Sequence, residues 1–395
     1  MLAELHGKLE NHMEDELTGN VFGTLRYTAF NKILKPLLKV CIRPKEIAAV
    51  IDKINCEFFG DKIKFWSYDK MGELDLLMTF DEVIIGVEVK FLSELSGDDQ
   101  LEREAEIVER KAYDREKILL FLAPESTCLE IVTADYRKKI LDEYGVQLCY
   151  IAWEDFLDAL KILGNDAALN PYEKIIVDDL IKLLTLKEFA RFRTFNLGDV
   201  AEISVDEYFN FGKENFMTAK TDENIVNAAA VIRKTHENVQ KFLEHCKNLT
   251  KKEITTYELL TKDFLRFNSD RNFYGFMYGS FTLLFKRNDD IKNIVYGIEV
   301  SVVESHVKVM KYFYNDAFDF QARISPSDIG NYNDPLWKFE NVTEGDYTKI
   351  ELPLDVQDKY QKLSKIIYRA IPLSEITADN VKEKIFDTFD KLSAL

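Results

Sequence analysis

At 395 residues the chain exceeds what one typical hydrophobic core organises, so two domains are expected. A hydrophobic content of 46% with 31% charged residues describes an ordinary globular chain, and no run approaches the roughly 18 uninterrupted apolar residues of a membrane span. The formal net charge of −17 excludes a basic surface over the whole chain; a nucleic-acid partner would have to meet a local basic groove or be delivered by another protein.

Residues 1–6 lack the basic and apolar regions of a secretory leader, so none is expected there. The five cysteines, Cys41, Cys56, Cys128, Cys149 and Cys246, form no C-x-x-C pair. Dispersed and odd in number, they read as reduced thiols of a cytoplasmic protein, mostly core filler.

In chain order, residues 2–17 carry helical periodicity, with His6, Glu10 and Glu14 at i, i+4 and i+8 on one face. Thr18-Gly19-Asn20 is expected to end this helix, and a second runs over 21–40. A short third helix starts after Pro44, a residue suited to a first turn. Residues 63–68 read as a strand. Two apolar runs, 72–80 and 83–90, flank the acidic turn Asp81-Glu82 in the pattern of a hairpin. A turn at 93–97 leads to a polar helix over 98–117. Residues 118–123 are a continuous apolar run ended by Pro124, as in a buried strand. A helix over 125–144, a strand over 146–153, a helix over 154–163 and a closing helix over 172–195 follow. Periodicity is then lost, which places a boundary near residue 195 and gives domains 1–195 and 196–395.

The second domain opens with a long helix over 224–247. Residues 273–287, 294–303 and 306–314 read as an antiparallel meander with alternating aromatics, 325–333 as a loop, and 337–352 as further strands. Residues 355–395 read as mostly helical. This is an α+β domain without a family resemblance, suited to recognition, dimerisation or regulation.

The hairpin over 72–90 carries the chemistry. Asp75 interrupts its first apolar run, and Glu88 and Lys90 interrupt the second. A charge buried in a sheet costs several kcal/mol unless it is paired or bound to a metal. Strand alternation points Glu88 and Lys90 to one face and Val87 and Val89 to the other. Pairing across the turn brings Asp75 toward Glu88. Two carboxylates and an ammonium then share one spot, which is a divalent-cation site with a built-in positive group.

This Asp…Glu-x-Lys arrangement, with Leu74 where the motif has Pro, resembles the PD-(D/E)xK nuclease superfamily. So does the order of helices, three strands, helix, strand, helix, strand and helix. The resemblance covers residues 1–195 and implies an α/β fold: a restriction-endonuclease-like αβββαβ core with a mixed central sheet flanked by helices. It implies Mg²⁺, with Mn²⁺ as a substitute, held by Asp75, Glu88 and the Val89 carbonyl. Lys90 would orient or deprotonate the attacking water and offset charge on the phosphate. In many members a glutamate of the first helix joins the metal; Glu14 leads here, with Glu10 as the alternative. Glu73 shares the strand face of Asp75 and is an alternative ligand. Gln100 stands where the superfamily often has a glutamine bonded to the site or to a phosphate.

Other features are weaker. Arg103, Arg110, Lys111, Arg115 and Lys117 could contact phosphate, but i,i+4 pairing with neighbouring acids explains them equally. His236, His245 and Cys246 lack zinc spacing and read as surface residues. Phe273, Tyr274, Phe276, Tyr278, Phe281 and Phe285 read as meander core rather than base-stacking groups. No Walker loop, G-x-G-x-x-G, G-x-S-x-G or H-E-x-x-H occurs.

The expected function is therefore a Mg²⁺-dependent endonuclease acting on DNA, with RNA not excluded, of a prokaryotic restriction or anti-phage defence type. A homodimer or a protein partner would use the second domain, and no membrane is involved. The alternatives are a non-catalytic scaffold of the same fold and a sensor or interaction protein acting through the second domain.

Overall fold

The computed structural model describes residues 13–91, 95, 97, 99–195, 222–260, 265–267, 280–290, 293–301, 306–315, 341–357 and 362–395. The chain divides into two compact units, one up to Ala190 and one from Arg191. Among the described residues no helix is long and apolar enough to cross a membrane.

In the first unit, α1 spans Met13–Leu25, α2 Leu34–Cys41 and α3 Ala48–Lys53. The expected break at Thr18-Gly19-Asn20 does not occur; α1 runs through it, and the chain breaks only after Leu25. A helical glycine costs about 1 kcal/mol. Leu17, Val21, Phe22 and Leu25 on the same helix are all buried, each stabilising by about 1.5–3 kcal/mol, which outweighs it.

A five-stranded sheet follows in the order β1-β2-β3-β4-β5. Its strands are β1 Ile63–Asp69, β2 Gly72–Thr79, β3 Val83–Val89, β4 Glu116–Ala123 and β5 Gln147–Ala152. The first three pair antiparallel, and β3, β4 and β5 pair parallel. Every residue of β3 is buried, as the run of apolar residues required. Helix α4, Gln100–Ala112, links β3 to β4. The helix expected over 125–144 is two, α5 Glu125–Ile131 and α6 Ala134–Tyr144. Thr133 starts the second, its hydroxyl accepting from the Tyr136 N–H at 3.2 Å. Helix α7 spans Trp153–Leu163. The closing helix α8, Pro171–Leu186, starts with a capping box between Asn170 and Glu173. It ends nine residues before the expected position, where Glu188 takes a left-handed φ of 67° and Phe189 turns inward to stack on Trp153.

The sheet separates two cores. Leu76, Met78, Val87 and Val89 face α1, α2 and α8, while Leu77 and Ile84 face α4 and α6. Gly86 lies on the α4 side, and a Cβ there would collide with the Val108 side chain. The missing side chain lets α4 lie close on β3.

The second unit holds α9, Asp222–Lys252, and an antiparallel sheet in the order β11-β12-β13-β10-β9-β8-β6, with β7 on β8. These strands are β6 Tyr257–Leu259, β7 Leu265–Phe267, β8 Ser280–Arg287, β9 Ile294–Ser301, β10 His306–Tyr314, β11 Asn341–Glu344, β12 Tyr347–Glu351 and β13 Leu363–Pro372. Helix α10, Asp387–Ser393, closes the chain. The expectation of helix over 355–395 fails at β13, which lies inside the sheet between β12 and β10. Leu363, Ile366, Ile367 and Ile371 stand at i, i+3, i+4 and i+8, the spacing of a helical stripe. They form a strand buried on both faces instead: Ile367 and Ile371 join one core, Leu363 and Ile366 the other.

Phe285 is core, as expected. Phe273, Tyr274, Phe276 and Tyr278, and the side chains of Phe281 and His236, lie outside the described residues. The surface reading of the other two residues is corrected. Cys246 is buried in the core of the unit, and His245 is half-buried with its ring 6.4 Å from that of Phe192.

Candidate active site

Asp75 and Glu88 stand opposite each other where β2 and β3 part, one step beyond the last registered pair, Leu76 with Val87. The Asp75 carboxylate accepts the N–H of Val89 at 2.8 Å and so takes a main-chain position in the ladder. Burial raises its pKa well above the ordinary carboxylate range, and the neighbouring charge of Glu88 raises it further. The Val89 N–H and the Lys90 ammonium act in the opposite sense and are outweighed.

Glu88 and Lys90, at 3% and 6% exposure, are buried. Their side chains form an ion pair at 2.8 Å. The main chain of Lys90 is pinned on both sides: its N–H donates to the Leu122 carbonyl at 2.8 Å, and its carbonyl accepts from the Trp153 indole at 3.0 Å. Burial by itself pulls the Lys90 pKa down, but Glu88, Glu14 and Asp75 together leave it above the ordinary lysine value. The ammonium therefore stays charged.

Glu14, in the first turn of α1, reaches the same place. One of its oxygens accepts from the Phe91 N–H at 2.8 Å, and the other lies 3.7 Å from Lys90 Nζ. Its neighbour Asp15 is buried and accepts from the Trp66 indole at 2.9 Å. Trp66 interrupts the pairing of β1 with β2 opposite Asp75 and holds a left-handed φ of 46°. Such backbone in a bulky residue costs about 1–3 kcal/mol and persists only where packing enforces it. The Asp15–Trp66 bond ties α1, and with it Glu14, to the sheet beside Asp75.

Gln100, the first residue of α4, is buried, and its amide nitrogen donates to Glu88 at 2.6 Å and to Glu104 at 2.8 Å. Glu104 was not anticipated from the sequence, although its i+4 spacing from Gln100 puts both on one helix face. It is 3% exposed. Burial raises its pKa well above the glutamate range, and Glu88 adds to the shift. Its second oxygen has no hydrogen-bond partner.

The structure thus gathers Asp75, Glu88, Lys90, Glu14 and Gln100 at one end of β3. Glu73 is exposed on β2, and Glu10 and His6 lie outside the described residues. The basic residues from α4 to the start of β4 all have protein partners: Arg103 pairs with Asp99, Arg110 with Glu106 and Asp69, Lys111 with Asp69, Lys117 with Glu109, and Arg115 donates to the Phe80 carbonyl. They form no unpaired basic strip.

Among the described residues, no group of three or more His, Cys, Asp or Glu side chains is placed to hold a metal ion. Mg²⁺ does not require one, because it is commonly held by one or two carboxylates, with waters and substrate phosphate completing the octahedron. The donor set suits such an ion. Glu88 and Glu14 flank the Lys90 ammonium and Asp75 adds its charge nearby, while Glu104 neighbours Glu88 and Asp15 neighbours Asp75. Carboxylates gathered in excess of their counter-charges and shielded from water take up protons or a cation. Comparison with protein-family models, with curated proteins and with solved structures gives no match to this chain.

Proposed function

We propose that the chain is a divalent-metal-dependent endonuclease with a restriction-endonuclease-like first unit, acting on DNA in a restriction or anti-phage defence setting. The observation that carries the reading is the convergence of Asp75, Glu88, Lys90 and Glu14 in a largely buried site at the end of a strand. An ordinary solvated strand face does not bury a carboxylate pair. The αβββαβ order of the first unit, and its sheet antiparallel on one side and parallel on the other, support it as well.

Asp75 and Glu88 would hold the Mg²⁺, with the Val89 carbonyl and Glu14 as further oxygen donors. A bound Mg²⁺ would supply Lewis acidity toward the phosphate and lower the pKa of water. Lys90 keeps its proton in the metal-free protein. Its part is to orient the attacking water and to offset charge developing on the phosphate, rather than to act as the base. Gln100 holds the Glu88 carboxylate in place. Glu14 steadies the other side of Lys90 and the main chain at Phe91.

A second reading, a non-catalytic scaffold or a sensor working through the second unit, is favoured by one feature. The Lys90 ammonium already neutralises Glu88 at ion-pair distance. Plasmid, linear duplex DNA and RNA incubated with the pure protein, in Mg²⁺ or in EDTA, separate the two. The nuclease reading expects cutting only with metal, reduced by about 10²-fold or more in Lys90→Ala. Equal inactivity of wild type and variant on every substrate supports the scaffold.

A further inference from the structure

Gln100 lies at the N-terminal end of α4, the position from which a helix side chain is least restrained by preceding turns. Its amide nitrogen nevertheless has both its protons committed, one to Glu88 Oε1 and one to Glu104 Oε1. Lys90 Nζ approaches that same Glu88 oxygen at 2.8 Å. A terminal amide can turn end for end. If it did so here, its carbonyl oxygen would face Glu88, and two acceptors would meet in a buried space. Glu104, one helical turn on and 3% exposed, prevents this by accepting the second proton. Gly86 allows the close approach of α4 to β3 that brings the pair within reach of Glu88.

We propose that Glu104 is a positioning residue of the metal site: it fixes the Gln100 amide, which fixes the Glu88 carboxylate. The assignment rests on the metal-dependent reading above and adds a residue to it. Groups that orient a metal ligand from behind change metal affinity when removed, without touching substrate.

The test is Mn²⁺ titration calorimetry on the full chain, with the Mn²⁺ dependence of cleavage as a second measurement. Glu104→Met keeps the volume and removes the acceptor; Glu104→Gln keeps an acceptor oxygen. Glu104→Met is expected to weaken Mn²⁺ binding by about 10- to 100-fold. It raises the half-activating Mn²⁺ concentration in step and leaves kcat at saturating Mn²⁺ near wild type, a split that general damage to the fold would not give. Glu104→Gln restores most of the affinity. Because Glu104 acts through Gln100, the double variant Gln100→Ala/Glu104→Met is no weaker than Gln100→Ala alone. Wild-type affinity in Glu104→Met, while Glu88→Gln abolishes binding, overturns the assignment and leaves the metal site standing. So do losses that simply add in the double variant. A wild-type protein that takes up no Mn²⁺ removes the metal site, and the positioning role falls with it.

Discussion

Asp75 is the residue on which burial and charge conflict most directly. It sits against Glu88, and its folded pKa is raised by burial first and by that neighbour second. An acid whose pKa is raised on folding binds protons more tightly in the native state. Its contribution to stability is complete below the unfolded carboxylate range, about pH 4, and is lost as pH rises through the raised folded value. In EDTA, Asp75→Asn is therefore expected to be more stable than wild type at pH 8, with the gap closing toward pH 4. Urea melts across that range check it, and a gap that does not vary with pH would show that Asp75 is not strained by its surroundings. Added Mg²⁺ should reverse the order at pH 8, since the ion favours the carboxylate that the bare protein resists. At this scale much was legible in the sequence. A charge inside an apolar run has few physical explanations, and alternation fixed which charges share a face. Glu104 was not legible, because a glutamate on a polar helix looks like solvated charge until the helix is laid on the sheet. Trp66 was hidden for another reason: nothing in Ile63–Asp69 indicates a residue forced into left-handed backbone.

At the scale of elements, α4 governs the site through one missing side chain. Gly86 faces Val108, a β-branched residue with little freedom to move aside. Gly86→Ala should destabilise the protein by about 1–3 kcal/mol, as overpacking does. It should also lift Gln100 away from Glu88 and weaken metal-dependent cleavage. Thermal unfolding measures the first effect, and an unchanged melting temperature would mean that the helix does not rest on this contact. The same scale explains which elements the sequence revealed. The strands Val83–Val89 and Glu116–Ala123 are apolar except for Glu88 and for the opening Glu116-Lys117, because helices cover both faces, and that signal is unambiguous. Leu363–Pro372 is buried on both faces as well, but its polar residues fall so that the apolar ones copy helical spacing. Periodicity alone could not tell the two apart. Thr18-Gly19-Asn20 carries the signal of a break, but the helix Met13–Leu25 runs through it because the cost of a glycine is small beside the apolar surface the helix buries.

For the whole molecule, the charge of −17 and the complete pairing of the α4 cations bear on how a polyanion would be received. Affinity for nucleic acid rises with the number of phosphates neutralised by lysine and arginine. On the proposed reading a metal would have to offset repulsion between phosphate and the acids around Lys90, so nucleic-acid binding in EDTA is expected to be weak. Nothing in the residues of the second unit assigns it a role, since its aromatics serve as sheet core where they are described.

On the proposed function, the acids around Lys90 are tolerated because they hold a cation. An anomalous difference map of a crystal soaked in Mn²⁺ would show that ion. One strong peak is expected about 2.1 Å from carboxylate oxygens of both Asp75 and Glu88, the distance expected of a hard divalent ion, and no peak in Asp75→Asn soaked alongside. A wild-type map with no peak between those two carboxylates, the Lys90–Glu88 ion pair standing unchanged, would contradict it.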